Sequence, residues 1–277
     1  HKRLNVYEGD ITDASAIHRI LRTTRPDEIY NLAAMSDVGT SFELPVYTAE
    51  VNSLGVMKML EAMRDLDMLK TTRFYQASTS ELYGMVKEMP QNEDTPFHPR
   101  SPYGLSKLYA YWAIKNYSES HGLWACNGIL FNHESPRRGD RFVTKKITNH
   151  VSEGHRVELG NLDARRDWGH AEDYVRGMWL MMQKHEADDY VLATGETRTV
   201  RDFVDAAYKA VNKTVEWDGK GLDEVGLVDG KVMVSVNSGF YRPAEVDILM
   251  GDPMKAELEL GWTRNHTFEE LVADMMQ

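Results

Sequence analysis

Phe74-Tyr-Gln-Ala-Ser-Thr-Ser-Glu-Leu-Tyr-Gly84 is an apolar run that opens into hydroxyls and one carboxylate. Its counterpart is Ser101-Pro-Tyr-Gly-Leu-Ser-Lys107, which sets Tyr103 and Lys107 four residues apart at the start of a long helical pattern. Residues at i and i+4 share a helix face. An ammonium beside a phenol favours the phenolate and lowers the phenol's pKa. That suits Tyr103 to proton transfer as base and acid. Thr79, Ser80 and Glu81 are expected to meet it from the end of a neighbouring strand.

A bare Tyr-x-x-x-Lys is a weak signal, and more often an amphipathic helix with incidental tyrosines. This chain carries a second copy, Tyr111-Trp-Ala-Ile-Lys115. Position separates the two. Pro102 suits a first helical turn, so Tyr103 stands near the helix start, whereas Tyr111 lies about 12 Å further along the axis. Ligands of open α/β sheets bind outside the carboxyl ends of the strands. Tyr103 is therefore the catalytic candidate.

Outward from that pair the chain alternates between strand and helix patterns. Strands are expected at Leu4–Tyr7, Glu28–Ala33, Thr72–Ser78 and Leu123–Phe131. Between them come a helix capped by Asp13, a polar loop from Met35 to Phe42, a helix from Pro45 to Leu66, and the Tyr103 helix, which Gly122 stops. Such alternation implies a parallel sheet covered on both faces. Past Phe131 follow a polar, basic loop, a helix from Phe142 to Glu153, a strand from Arg156 to Leu159, a helix from Ala171 to His185 and a strand from Tyr190 to Ala193. A small α+β region is expected from Thr199 on. It would hold a helix at Val200–Val211, strands near Val215 and at Val232–Val236, and helices at Pro253–Leu260 and Phe268–Met276.

A chain of 277 residues, 42% of them hydrophobic, can bury a full core in one or two domains. Its net charge of -11 argues against nucleic acid or an anionic membrane as main partner. The single cysteine, Cys126, rules out an internal disulfide and fits a reducing, cytoplasmic compartment. No apolar run reaches membrane-spanning length. A dinucleotide-binding sheet normally opens with a strand, a glycine-rich turn and a helix whose N-terminus takes the pyrophosphate. No G-x-x-G-x-x-G occurs in the chain, and Leu4–Tyr7 reads as a third strand. The expectation is a piece of a longer protein, or one lacking a segment, with about 60 residues absent upstream on the size of two βαβ units.

Several long phrases resemble the GDP-mannose 4,6-dehydratase family of the extended short-chain dehydrogenase/reductase superfamily. They are the Phe74–Gly84 stretch, Pro99-Arg-Ser-Pro-Tyr-Gly104, Asn127-Gly-Ile-Leu-Phe-Asn-His-Glu-Ser-Pro-Arg-Arg-Gly139, Gly160-Asn-Leu-Asp-Ala-Arg-Arg-Asp-Trp-Gly-His170 and Tyr241-Arg-Pro-Ala-Glu-Val-Asp247. The similarity runs from Leu4 to the end, with Ile147–Leu159 a little shorter than the family pattern. The fold implied is α/β: a Rossmann-type doubly wound parallel sheet, lacking its first strands and glycine-rich turn, with a smaller α+β substrate domain. Residues 1–135 and 166–198 would form the dinucleotide-binding domain, and 136–165 and 199–277 the nucleotide-sugar domain.

The resemblance implies conversion of GDP-mannose to the 4-keto-6-deoxy sugar with NADP. Tyr103 would take the 4-hydroxyl proton, Lys107 would keep the phenol acidic and bond the nicotinamide ribose, and Thr79 would bond the sugar O4 with Ser80 beside it. Glu81 would remove the C5 proton and return one to the departing 6-hydroxyl. It is the discriminating residue, since a plain reductase or epimerase needs only the hydroxyl, Tyr and Lys. Cofactor contacts implied are Asp10 and Ile11 with the adenine, Leu32, Ala33, Ala34, Met35 and Ser36 under the phosphates and ribose, and Tyr47, His133 and Arg138. GDP would be held by Asn132, Lys146, Arg166, Arg242 and Glu245, with Ser36 near the sugar. Arginine's planar fork suits diphosphate, and Glu245 could accept the guanine N1 and N2 protons. No metal is expected, because His133 and Glu134 have no further ligand at metal spacing. The family implies a homo-oligomer, a dimer or a tetramer. Two other readings stay open: a reductase or epimerase of the same superfamily, and a GDP-sugar-binding protein without turnover.

Overall fold

The computed structural model describes residues 4–241, 244, 246 and 248–277. The chain divides into two compact units. The first takes in the chain up to Gly84, Phe97–Ile129 and Met178–Tyr190; the second takes in Met85–Pro96, Leu130–Gly177 and Val191–Gln277.

The first unit is built on parallel strands Glu28–Asn31, Arg73–Ala77 and Ala125–Leu130, in register at Ile29, Phe74 and Ala125. Tyr190–Leu192 is the fourth strand in the sheet order. Every residue of Ala125–Leu130 is buried, as expected for a parallel strand covered on both faces. Helix Ala14–Thr24 begins where Asp13 accepts the backbone N–H groups of Ser15 and Ala16. The 20-residue helix Pro102–His121 begins where Ser101 Oγ accepts the Gly104 N–H at 3.0 Å, and ends at Gly122 with φ 65°. Ile17, Leu21, Ile29, Leu60, Met63, Phe74, Ile114 and Tyr117 form one apolar core under these helices.

Several boundaries differ from the sequence expectation. Leu4–Tyr7 is not a strand: among the described residues it pairs with no neighbour, and Leu4 and Val6 are exposed. The strand at Glu28 stops at Asn31, whose side chain turns to bond Gln76. The expected polar loop contains a short helix, Val38–Glu43, capped by Asp37. The Pro45–Leu66 helix is interrupted by a π-helical turn, Glu50–Leu54, between Pro45–Ala49 and Gly55–Asp65. Such turns insert a residue into an α-helix and are frequent at functional sites.

In the second unit, Glu216–Asp218, Val225–Val228 and Lys231–Val236 form an antiparallel meander, and Val157–Leu159 pairs parallel to the last of these. The Val225–Val228 strand has no counterpart in the sequence expectation. Helices Val143–Glu153, Val200–Ala210 and Phe268–Met275 pack Ile147, Phe203 and Leu271 around Trp168. Asn132–Glu134 pairs parallel with Trp168–His170, from which helix Ala171–Met182 departs. No helix among the described residues is long and apolar enough to cross a membrane.

Candidate active site

Strand Arg73–Ala77 ends in a tight turn, Ser80–Leu82, capped by Thr79, whose Oγ1 accepts the Glu81 N–H at 3.2 Å. Thr79, Ser80 and Glu81 are all buried. The first turn of the Tyr103 helix packs directly on this segment. A Cβ on Gly104 would stand 2.8 Å from the Glu81 carbonyl oxygen, closer than real Cβ atoms come. Glycine is therefore required there to let the helix start touch the strand-end turn.

Lys107 follows one turn later, buried, with Nζ donating to the Ala77 carbonyl at 2.9 Å and 6.0 Å from the Tyr103 ring centroid. Burial lowers its ammonium pKa to about 8, because desolvation disfavours the charged form. The same carbonyl accepts Gln76 Nε2 at 3.0 Å, and Gln76 Oε1 accepts Asn31 Nδ2 at 2.8 Å. Strand end, lysine and the neighbouring strand thus share one buried amide chain. The second Tyr-x-x-x-Lys copy has different surroundings. Tyr111 is buried edge-on against Phe97, and Lys115 pairs with Asp189 at 3.1 Å.

The loop after Glu28–Asn31 is held from below by Asn52, in the π-helical turn. Its Oδ1 accepts the Met35 N–H at 2.8 Å, and its Nδ2 lies 3.0 Å from the Met35 carbonyl and 3.1 Å from Ser106 Oγ. Asn52 is 1% exposed, so these are its partners in place of water. Leu32, Ala33 and Ser36 are exposed at the carboxyl end of the sheet, Ala34 and Met35 half-buried. Tyr47 is exposed beside the start of its helix. Asp10 accepts the Thr12 N–H and hydroxyl, which hold its carboxyl below the usual range. Ile11 packs on Gly55, where a Cβ would meet its side chain at 2.8 Å. Asn52, Gly104 and Gln76 were not among the residues singled out from sequence. Only the pattern of a π turn, which has no fixed spacing, could have pointed to Asn52.

The second unit carries the other candidates. His133 Nδ1 is 2.8 Å from the Phe131 carbonyl, and its ring stacks on Tyr174 at 4.9 Å. Burial lowers its pKa to about 4, so the ring is neutral at pH 7 and offers its other nitrogen as acceptor. Asn132 lies next to it, half-buried at the strand start. Arg138 pairs with buried Glu134 at 3.0 Å and lies over Phe142; Glu134 also accepts Thr144 Oγ1. Lys146 Nζ donates to the Glu158 carbonyl at 2.7 Å and sits 3.7 Å over the Phe240 ring. Arg166 is buried, with one guanidinium nitrogen 2.9 Å from the Arg165 carbonyl. Beside it, Asp167 accepts from Thr194 N and Oγ1, Gly195 N and Gly251 N. Desolvation nevertheless raises its pKa to about 6. Arg242 and Glu245 lie outside the described residues.

The parallel sheet, the Tyr–Lys helix and the hydroxyl-bearing strand end define a Rossmann-type member of the short-chain dehydrogenase/reductase class. Solved structures agree at the level of fold. A UDP-glucose 4-epimerase from Thermus thermophilus, in complex with NAD, matches with TM-score 0.83 at 26% identity, over 97% of this chain and 82% of that one. DesIV, a dTDP-glucose 4,6-dehydratase from Streptomyces venezuelae with NAD and TYD bound, matches with TM-score 0.86 at 24% identity, over 100% and 79%. Within the class the sequence is more specific. A family model described as GDP-mannose 4,6 dehydratase matches residues 1–275. A GDP-mannose 4,6 dehydratase from Drosophila melanogaster is 54% identical over 99% of this chain and 71% of its own length. The Homo sapiens GDP-mannose 4,6 dehydratase is 50% identical over 99% and 75%. The chain belongs to the GDP-mannose 4,6-dehydratase family.

Proposed function

We propose that the chain dehydrates GDP-mannose to GDP-4-keto-6-deoxymannose, with Tyr103, Lys107, Thr79 and Glu81 as its chemical groups. The Tyr103 phenol takes the proton of the sugar 4-hydroxyl as C4 is oxidised. Thr79 bonds the sugar O4, and Ser80 lines the same turn. The new 4-ketone acidifies the C5–H bond, and Glu81 takes that proton as a general base. The proton then goes to the 6-hydroxyl, which leaves as water. When bound, NADP would supply the redox chemistry, a hydride taken from C4 and given back at C6, so that the net reaction loses only water. Lys107 orients the nicotinamide ribose and favours the Tyr103 phenolate by charge.

The observation that carries this reading is the packing of the Glu81 turn under the Tyr103 helix start, with Gly104 at the contact. It supports the reading that the Glu81 carboxylate serves beside the phenol–lysine pair, which elimination of water needs and simple reduction does not. Toward NADP we assign Asp10, Ile11, Leu32, Ala33, Ala34, Met35, Ser36, Tyr47, His133 and Arg138. The fit is supported by exposure of Leu32, Ala33 and Ser36 at the strand's carboxyl end and by the neutral ring of His133. Toward GDP we assign Asn132, Lys146, Arg166, Arg242 and Glu245, with Ser36 reaching the hexose.

We assign a homo-oligomer as the working state. Helix Pro102–His121 is apolar on two sides. Ala110, Ile114 and Tyr117 face the core, while Leu105, Tyr109 and Trp112 are 62%, 49% and 57% exposed. These three line a groove of about 1050 Å³ with Pro45, Ala49 and Met57. A helix apolar all round is a buried helix, which favours a second copy on this face.

The test is to incubate the chain with GDP-mannose and NADP and follow formation of the 4-keto product. Glu81→Gln should abolish dehydration yet leave slow C4 oxidation, seen as reduced cofactor. Loss of binding alone, with normal chemistry at saturating substrate, would refute the assignment of Glu81.

A further inference from the structure

Leu249, Met250, Gly251 and Asp252 run through the second unit with all four backbone N–H groups given to partners distant in sequence. Leu249 donates to the Arg165 carbonyl at 3.2 Å and Asp252 to the Gln91 carbonyl at 2.7 Å. Met250 donates to Gln91 Oε1 at 3.0 Å and Gly251 to Asp167 Oδ2 at 3.2 Å. Alternate residues thus face opposite sides, which is the period of a strand. Gln91 lies along one edge, bridged to Gly251, and Arg165 along the other, bridged to Ile248. Two of the four acceptors are side chains, standing where a neighbouring strand would offer carbonyls.

Both of those side chains, Asp167 and Gln91, are fully buried. Gln91 Nε2 donates to the Glu88 carbonyl at 2.8 Å, and the Gln91 N–H to the Met250 carbonyl at 2.9 Å. Asp167 also accepts the N–H groups of Thr194 at 2.8 Å and Gly195 at 3.1 Å, so one carboxylate joins three separate stretches of chain. Packing leaves no slack: a Cβ on Gly251 would stand 2.3 Å from the Ala193 Cβ and 2.6 Å from Phe131 Cε2. The Arg165 carbonyl that accepts Leu249 also accepts the Arg166 guanidinium at 2.9 Å. In sequence, Glu245 and Arg242 stand just ahead of Ile248, and Val246 between them and the anchored residues is buried.

We infer that Asp167 and Gln91 are positioning residues for nucleotide recognition. Together they fix residues 249–252 against the Arg166 strand, as the anchored end of the segment that carries Arg242 and Glu245. The inference rests on the assignment of Arg166, Arg242 and Glu245 to GDP. Hydrogen bonds weaken steeply as their geometry degrades. A carboxylate that reads guanine N1 and N2 therefore selects that base only while its backbone is held. Loosening the anchor lets the site settle equally well on a base without the N2 amine.

The experiment is calorimetric titration of the full chain with GDP and with inosine diphosphate, which lacks that amine. The native chain should prefer GDP. Asp167→Asn turns one acceptor oxygen into a donor, and Gln91→Met keeps the volume while removing the bond from Met250. Each should weaken GDP by about five- to tenfold, the size of one hydrogen bond, and bring the two affinities together. Either variant serves if the other folds poorly. Thr194→Val removes a partner of the same carboxylate without touching the four N–H groups, so it should lower the melting temperature and leave the preference as it was. A preference that both variants retain, or one lost equally in Thr194→Val, would overturn this inference alone. A native chain that binds both diphosphates equally would strike the Glu245 assignment, and the inference with it.

Discussion

Lys107 shows what one buried charge does to this chain. Its ammonium has lost water and keeps one carbonyl partner, and its pKa falls to about 8 from an ordinary value of 10.5. A depressed folded pKa means the unfolded chain binds more protons between those two values. This contribution to stability is therefore fully present above pH 10.5 and is lost as pH falls through 8. Ligand-free protein should gain about 2 kcal/mol of stability from pH 8 to 10 from this group. Lys107→Met should flatten that rise in denaturant titrations and lose turnover at every pH. At the same scale, Glu81→Gln should lower kcat for dehydration by about 10²- to 10⁴-fold, the range of a general acid–base group, with little change in melting temperature. The Tyr103–Lys107 spacing and the Thr79-Ser-Glu81 phrase were legible in sequence because their chemistry is local. The amide chain from Asn31 through Gln76 to Ala77 was not, since it joins two strands whose pairing no local pattern declares.

Two elements decide whether those residues meet. The Tyr103 helix reaches the Glu81 turn only because Gly104 has no Cβ. Gly104→Ala should cut turnover more than stability, measured as kcat against melting temperature, because the clash falls on the Glu81 turn and not on the core. The π-helical turn Glu50–Leu54 aims Asn52 at Met35 and Ser106. Asn52→Ala leaves the half-buried Met35 N–H without its acceptor, which should cost about 1 kcal/mol and raise the KM for cofactor. A regular helix is the natural reading of Pro45–Leu66, since its apolar spacing is maintained on both sides of the insertion. The short helix Val38–Glu43 escapes a sequence reading because its polar residues look like loop, although Asp37 is a good N-cap. Leu4–Tyr7 has strand composition, but a strand also needs a partner, and composition does not supply one.

Across the whole molecule, burial and charge are organised by contacts distant in sequence. Asp167 gathers Thr194, Gly195 and Gly251 around one carboxylate beside Arg166. Nothing in Arg165-Arg-Asp-Trp168 announces that, and the basic pair draws the eye instead. The alternation of strands and helices, by contrast, was enough to give a covered parallel sheet. The Tyr103 helix also carries an exposed apolar side, Leu105, Tyr109 and Trp112. Trp112→Glu with Leu105→Glu should shift the protein to a smaller species in sedimentation velocity, and an unchanged sedimentation coefficient would count against a second copy there. The route of the chain has one more consequence. Met85–Pro96 belongs with the later residues although Phe97–Ile129 belongs with the earlier ones, and Met178–Tyr190 returns to the first group. Neither half is an uninterrupted stretch, so no single scission releases an autonomous piece. Dissected expression of either half should yield insoluble product, and circularly permuted versions are the better route to studying them apart.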